Sequence, residues 1–323
     1  MKRKSIIFLG LIVLFIISLF LTILAKEQVY DFRKTNWGMS REQVKATEDK
    51  SPDFEDNIIL NYNIAINGKD FICTYRFLND KLYKSECVFI GQHINKNLYI
   101  DDYKELKEIF IKKYGKPKFD DYPGKWEDDI YKDNKNDLVI AISVGDEAYW
   151  AQWETPTAKI DLYLWGKNNK INLNISYKSD KILKSEFLVV VKELDTPQKI
   201  CAYMRNNFEY ELHTVYAPAP YLLWERKKGD CNDFSTFGTY IANYHGYKAY
   251  QIFIYFKEVT LGHVIAAYKE NGKYNYSSNW EYFPIQANNF KEVVTSYFSF
   301  DDEYELKNYE VYDYEMNLIT EGK

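Results

Sequence analysis

Between Lys4 and Lys26 the chain carries no charge, and Ile6 to Ala25 is a mostly apolar run. As a helix rising 1.5 Å per residue, a run of that length spans about 30 Å, the thickness of bilayer hydrocarbon. Lys2, Arg3 and Lys4 form a basic flank before it. Such a flank stays inside, so residues after about 26 are expected outside the cytoplasm. Signal-peptide apolar regions are shorter, about 7–15 residues, and Ile23 is a poor small residue for cleavage after Ala25. The segment 1–29 therefore reads as an uncleaved signal anchor, with a cleaved signal peptide and secretion as the alternative.

The chain beyond this segment has the makeup of a folded protein. Of the 323 residues 46% are hydrophobic and 28% charged, which supports a packed core and excludes wholesale disorder. The net charge is −5, and no long Lys/Arg run occurs beyond the N-terminus, so nucleic acid is not the expected partner. Aromatic residues reach 18%, including 30 tyrosines. Platforms for sugars or peptides are one use of them. Filling of cores and sheet faces is the plainer one.

Outside the cytoplasm disulfides are permitted. The cysteines are Cys73, Cys87, Cys201 and Cys231, which allow three full pairings. Cys73 and Cys87 flank a hairpin, and a three-residue loop centred on Asp80 puts them opposite each other. A bridge there is feasible, and it leaves Cys201 and Cys231 as a remaining pair.

Residues 30–178 read as an α+β module, an antiparallel sheet with helices on one face. Ser40 and Gln43 make a capping box for a short helix. Strands are expected at Ile58–Ile66, Phe71–Leu78 and Leu82–Ile90, with Asn67-Gly68 as a tight turn. An amphipathic helix ends at Gly115 and Pro117. Further strands are expected at Leu138–Val144, Ala148–Glu154, Lys159–Trp165 and Lys170–Tyr177. His93 stands alone, and the Asp101-Asp102 and Asp128-Asp129 pairs have no ligand spacing, so the module reads as a binding or spacer unit.

Residues 179–194 connect to a second unit, 195–323. Thr196 or Asp195 caps a helix with Pro197 in its first turn, and Ile200, Met204 and Phe208 form its buried stripe. Cys201 lies beside that stripe and reads as a structural thiol. Phe234, Phe237, Ile241 and Tyr244 then share helical spacing, and His245-Gly246 ends that helix. Cys231 therefore falls at a helix N-terminus, where the dipole is expected to lower a thiol pKa. The free N–H groups of the first turn could hold an oxyanion. A buried strand over Tyr247–Phe256, a strand beginning at His263, an Asn271-Gly272 turn and a strand over Lys273–Trp280 complete the pattern. A thiol nucleophile needs a base, and the base needs an orienting group. No two His or Cys residues sit at short ligand spacing, so no metal site is expected.

The ordered pieces TPQKICAYMRNNFEYE, KKGDCNDFSTFGTYIANYHGYKAYQIFIYF and GHVIAAYKENGKYNYSSNW resemble the transglutaminase-like, papain-related superfamily of cysteine enzymes over about residues 195–285. The resemblance implies a nucleophile at Cys231 and a proton shuttle at His263. The acidic third member falls at Ser278 here, beside Asn279, and papain-type enzymes use Asn in that role. A three-residue hairpin loop puts His263 opposite Asn279. A two-residue turn puts it opposite Trp280, with Ser278 on its side of the sheet and Asn279 pointing away. Asn279 is the expected orienter, with Ser278 as the alternative. Trp224 and Asn232 are candidates for the cleft or oxyanion site. The implied chemistry is acyl transfer at an amide of a protein or peptide, with no cofactor. The rival reading is a non-catalytic binding module of the same fold.

Overall fold

In the computed structural model the described residues are 30–122, 135–213, 219–257, 259, 262–300 and 304–323. The apolar run read as a signal anchor, and the Asp128-Asp129 pair, lie outside them. No helix among the described residues is long and apolar enough to cross a membrane. The chain divides into two compact units, Met1–Asp180 and Lys181–Lys323. The chain is α+β throughout, with helices packed on antiparallel sheets.

The first unit begins with a short helix α1 (Arg41–Lys45), and Ser40 and Gln43 close its capping box as expected. Strands β1 (Phe54–Glu55), β2 (Ile59–Ile66), β3 (Lys69–Leu78) and β4 (Lys81–Phe89) come next. Helix α2 (Asn97–Tyr114), strand β5 (Phe119–Asp121), helix α3 (Lys135–Val144) and strands β6 (Tyr149–Glu154), β7 (Lys159–Lys167) and β8 (Lys170–Lys178) complete it. The eight strands form one sheet in the order β1-β2-β3-β4-β8-β7-β6-β5. Every pairing is antiparallel. Helices α2 and α3 pack on the face carrying Ile160, Leu162 and Leu164.

Cys73 and Cys87 are direct cross-strand partners and form a disulfide with their Cα atoms 4.0 Å apart. The turn is two residues, Asn79-Asp80, both at positive φ, and a bulge between Arg76 and Phe77 restores the register that a three-residue loop was expected to give. His93 is not alone, and Asp102 is not a solvated charge. The buried Asp102 accepts from Lys69 at 3.0 Å and lies 2.7 Å from His93 Nε2.

Leu138–Val144, expected as a strand, is the helix α3. A short, mostly apolar run is ambiguous between the two by pattern alone. Here Asp137 lies in the first turn, and Gly145 at φ 100° ends the helix. Leu138, Val139, Ala141 and Ile142 are buried while Ile140 and Val144 are exposed. Gly166 on β7 makes the approach feasible, because a Cβ there would lie 2.0 Å from the Ile142 carbonyl oxygen.

The connector expected over residues 179–194 is largely helix α4 (Asp180–Glu193). In the second unit then come α5 (Pro197–Asn207), β9 (Glu209–Tyr210), α6 (Pro220–Arg226), β10 (Lys228–Gly229), α7 (Cys231–Tyr244), β11 (Lys248–Phe256) and β12 (His263–Glu270). Strands β13 (Lys273–Ser278) and β14 (Glu281–Ala287), helix α8 (Phe290–Phe300) and strands β15 (Leu306–Asp313) and β16 (Leu318–Gly322) finish it. Six strands form an antiparallel sheet in the order β14-β13-β12-β11-β15-β16. Helix α7 covers one face, where a Cβ on Gly238 would lie 2.4 Å from the Tyr268 hydroxyl and 3.6 Å from the Ala266 Cβ. The opposite face packs Ile252, Ile254, Ile265 and Ala267 against Val293, Val294 and Tyr297 of α8.

Candidate functional site

The residues around Cys231 are held by a tight local frame. Asp230 is the extended N-cap of α7, and its carboxylate accepts the Asn232 N–H at 2.9 Å. Asp233 reaches back to accept the Asp230 N–H at 3.1 Å. Gly229 is required just before, because a Cβ there would lie 2.7 Å from Asp233 Oδ2. Strand β10 pairs in parallel with β9, and the Glu211 N–H donates to the Gly229 carbonyl at 2.8 Å. The segment entering the helix is thereby strapped down by the chain carrying Tyr210 and Leu212.

Cys231 is the first residue of α7 and is 7% exposed. Burial pushes its thiol pKa up, against backbone N–H groups of Val264, Asn232 and Cys231 itself that favour the thiolate. The Asp230 charge adds to the upward push. The expected lowering by the helix dipole is thus outweighed by desolvation. Cys231 and Cys201 are both free thiols, so no bridge joins them. Cys201 is buried and held up at about 12, mainly by desolvation, with Ser277 and Tyr268 bonded to it.

The hairpin between β12 and β13 has the two-residue Asn271-Gly272 turn, and Glu270 pairs with Lys273. Ile265 then pairs with Ser278, and the same register carried on puts His263 opposite Trp280. His263 Nε2 lies 2.9 Å from Ser278 Oγ. Asn279, the expected orienter, sits instead at φ 50° between the paired Ser278 and Glu281. Its amide oxygen, meant to take the ring N–H, is buried and accepts no hydrogen bond. The one-residue shift in pairing decides which side chain reaches the ring.

Side-chain alternation along β12 has a second consequence. His263 shares the face of Ile265 and Ala267, and its ring stacks on Tyr297 of α8 at 5.5 Å. Cys231 belongs to α7, which covers the face of Ala266 and Tyr268. Both residues nevertheless line one cavity of about 390 Å³. That cavity is walled by Tyr210, Leu212, Phe253, Tyr255 and Val264, and Asn232 also lines it. Trp224 does not. Its indole N–H donates to the Tyr203 hydroxyl at 3.0 Å, and its ring packs on Phe187.

Sequence reading missed His213. It lies on the cavity wall and its Nε2 is hydrogen-bonded to Asp233, although the two are 20 residues apart. No local motif signals this pairing, because the β9–β10 bridge creates it. His213, Asp230 and Asp233 lie within 4.8 Å of one another, a set with metal-ligand chemistry. Both carboxylates already serve the capping box, and the imidazole faces Asp233, so hydrogen bonding accounts for the arrangement.

Residues 169–312 match the family model of the transglutaminase-like domain. The match begins at the last strand of the first sheet and ends in β15. Among solved structures the chain is similar to a candidate cysteine protease from Cytophaga hutchinsonii, at 12% identity and a TM-score of 0.27. That similarity covers 42% of this chain and 62% of the other. No curated protein matches this sequence.

Proposed function

We propose that the transglutaminase-like domain is a cysteine enzyme acting on amide bonds outside the cytoplasm. Cys231 is the nucleophile and His263 the base. The observation that carries this is that both line one cavity, with the His263 ring held by Ser278. In the proposed cycle the Cys231 S–H proton passes to His263, and the sulfur attacks the amide carbonyl carbon. The amine leaves with the proton from His263, and an acyl-thioester forms. Water then gives hydrolysis, and an amine gives crosslinking. The Cys231 backbone N–H at the helix start is the proposed oxyanion donor. Trp224 has no part, since its indole N–H is spent on Tyr203. The location rests on the apolar run after the basic N-terminus, which makes cell-surface proteins or peptides the substrate class.

The test is the alkylation of each thiol by iodoacetamide near pH 6. Cys231 should react faster than Cys201, and His263→Ala should slow it about tenfold or more. Equal rates for the two thiols, or indifference to His263→Ala, would remove the reading.

One observation favours a non-catalytic module. Burial of the Cys231 side chain raises its thiol and so opposes the thiolate that the reaction needs. On that reading Cys231 alkylates only in alkaline solution and without regard to His263.

A further inference from the structure

Strands β5, β6 and β7 close one edge of the first sheet, and their outward face carries a band of rings. Phe119 and Trp150 lie 4.6 Å apart between centroids, Trp150 and Tyr163 6.2 Å, and Tyr163 and Trp165 6.4 Å, the last pair nearly parallel. Phe119, Trp150 and Tyr163 are between 37% and 39% exposed. Strand alternation explains the face but not its content. Ile160, Leu162, Leu164 and Trp153 point the other way and fill the core. Large exposed rings cost solvent ordering that polar residues would avoid, so three of them in one band, with the half-buried Trp165 beside them, call for an occupant.

The rest of that face says what kind. On β5 to β8 it carries amide, hydroxyl, carboxylate and lysine side chains, and not one aliphatic side chain. A protein partner's buried patch would be expected to mix aliphatic groups or Met with the rings. The direct cross-strand partners of Tyr163 and Trp165 are Asn174 and Asn172, both neutral amides; the Asn174 amide oxygen is buried, which leaves its N–H groups to donate. The carboxylate among the rings, Asp161, accepts from the Trp150 indole at 2.9 Å and from Gln152 at 2.7 Å. Negative charge at that point is unfavourable for a polyanion. The complementary ligand is uncharged, with flat C–H faces for the rings and hydroxyl groups for the amides.

We propose that this band binds a neutral pyranose polysaccharide, with successive sugar faces stacked on the rings and hydroxyls bonded to Asn172 and Asn174. The site is separate from the cavity at Cys231 and does not depend on its chemistry.

The experiment is co-sedimentation of the full chain, purified in detergent, with insoluble chitin and amorphous cellulose, and with oligo(dT) as the polyanion control. Retention on at least one glycan is expected. Trp150→Ala and Trp165→Ala should each weaken it about tenfold, a typical loss for one ring contact. Trp165→Phe, which keeps a ring, should stay within about threefold, and Cys231→Ala should leave retention unchanged. Retention on none of the glycans overturns the proposal. So does unchanged retention in a folded variant lacking both tryptophans, or tighter binding of oligo(dT) through the same rings.

Discussion

His263 Nε2 meets the Ser278 hydroxyl at 2.9 Å, while the neighbouring Asn279 turns away into the β13–β14 connection. Because the register fixes this choice, exchanging side chains at the two positions should have unequal effects. Ser278→Ala removes the hydrogen bond and should slow His263-dependent alkylation of Cys231 about three- to tenfold. Ser278→Asp places a carboxylate beside the imidazole, favours imidazolium, and should speed the reaction near pH 6. Asn279→Ala should change the rate by less than about twofold, since its amide oxygen bonds to nothing. The alkylation rates, measured by mass spectrometry of the Cys231 peptide, decide the point.

His213 pairs with the buried Asp233, which in turn holds the Asp230 N–H just before Cys231. Removing the imidazole leaves a buried carboxylate without that partner. His213→Ala should therefore cost about 2–4 kcal/mol in urea unfolding. The double change with Asp233→Asn should recover part of that loss, because the uncompensated charge is gone. Equal destabilisation in the single and double variants would show that the imidazole acts by packing alone.

Cys201 supplies a pH dependence with a definite sign. Burial raises its thiol from 9.0 to about 12 in the folded chain. The native state then holds a proton that the unfolded state releases first. The associated stability is complete below about pH 9 and is lost as pH rises toward 12, about 4 kcal/mol in all. Cys201→Ala should flatten that part of the curve when unfolding free energy is followed across this range. An unchanged slope in the variant would assign it to the tyrosines instead.

Gly166 is the contact point between β7 and helix α3, with room for no Cβ against the Ile142 carbonyl. Gly166→Ala should destabilise the first unit by about 2 kcal/mol or more, because the three nearest contacting atoms all belong to backbone. Gly68, with nothing near its Cβ position but a positive φ of 73°, should lose only about 1 kcal/mol as alanine. Thermal unfolding of the two variants compares them directly.

Local chemistry was enough for much of this protein. The Ser40–Gln43 box, the Asn67-Gly68 and Asn271-Gly272 turns, the helix starting at Cys231 and the facing of Cys73 and Cys87 all depend on residues near one another in the chain. Backbone preference, capping and strand alternation act over a few residues, so sequence alone carries them. The transglutaminase-like order of Cys231, His263 and hairpin is legible for the same reason. Only the tertiary structure decided the rest. The strand-like Leu138–Val144 became a helix because the notch at Gly166 accepts one. The Cys231 thiol went up rather than down because burial by the folded chain outweighs the helix dipole. Ser278 displaced Asn279 through a single step of hairpin register, and His213 reached Asp233 only across the β9–β10 bridge. Desolvation and long-range pairing depend on what surrounds a residue in space, and no window of sequence contains that.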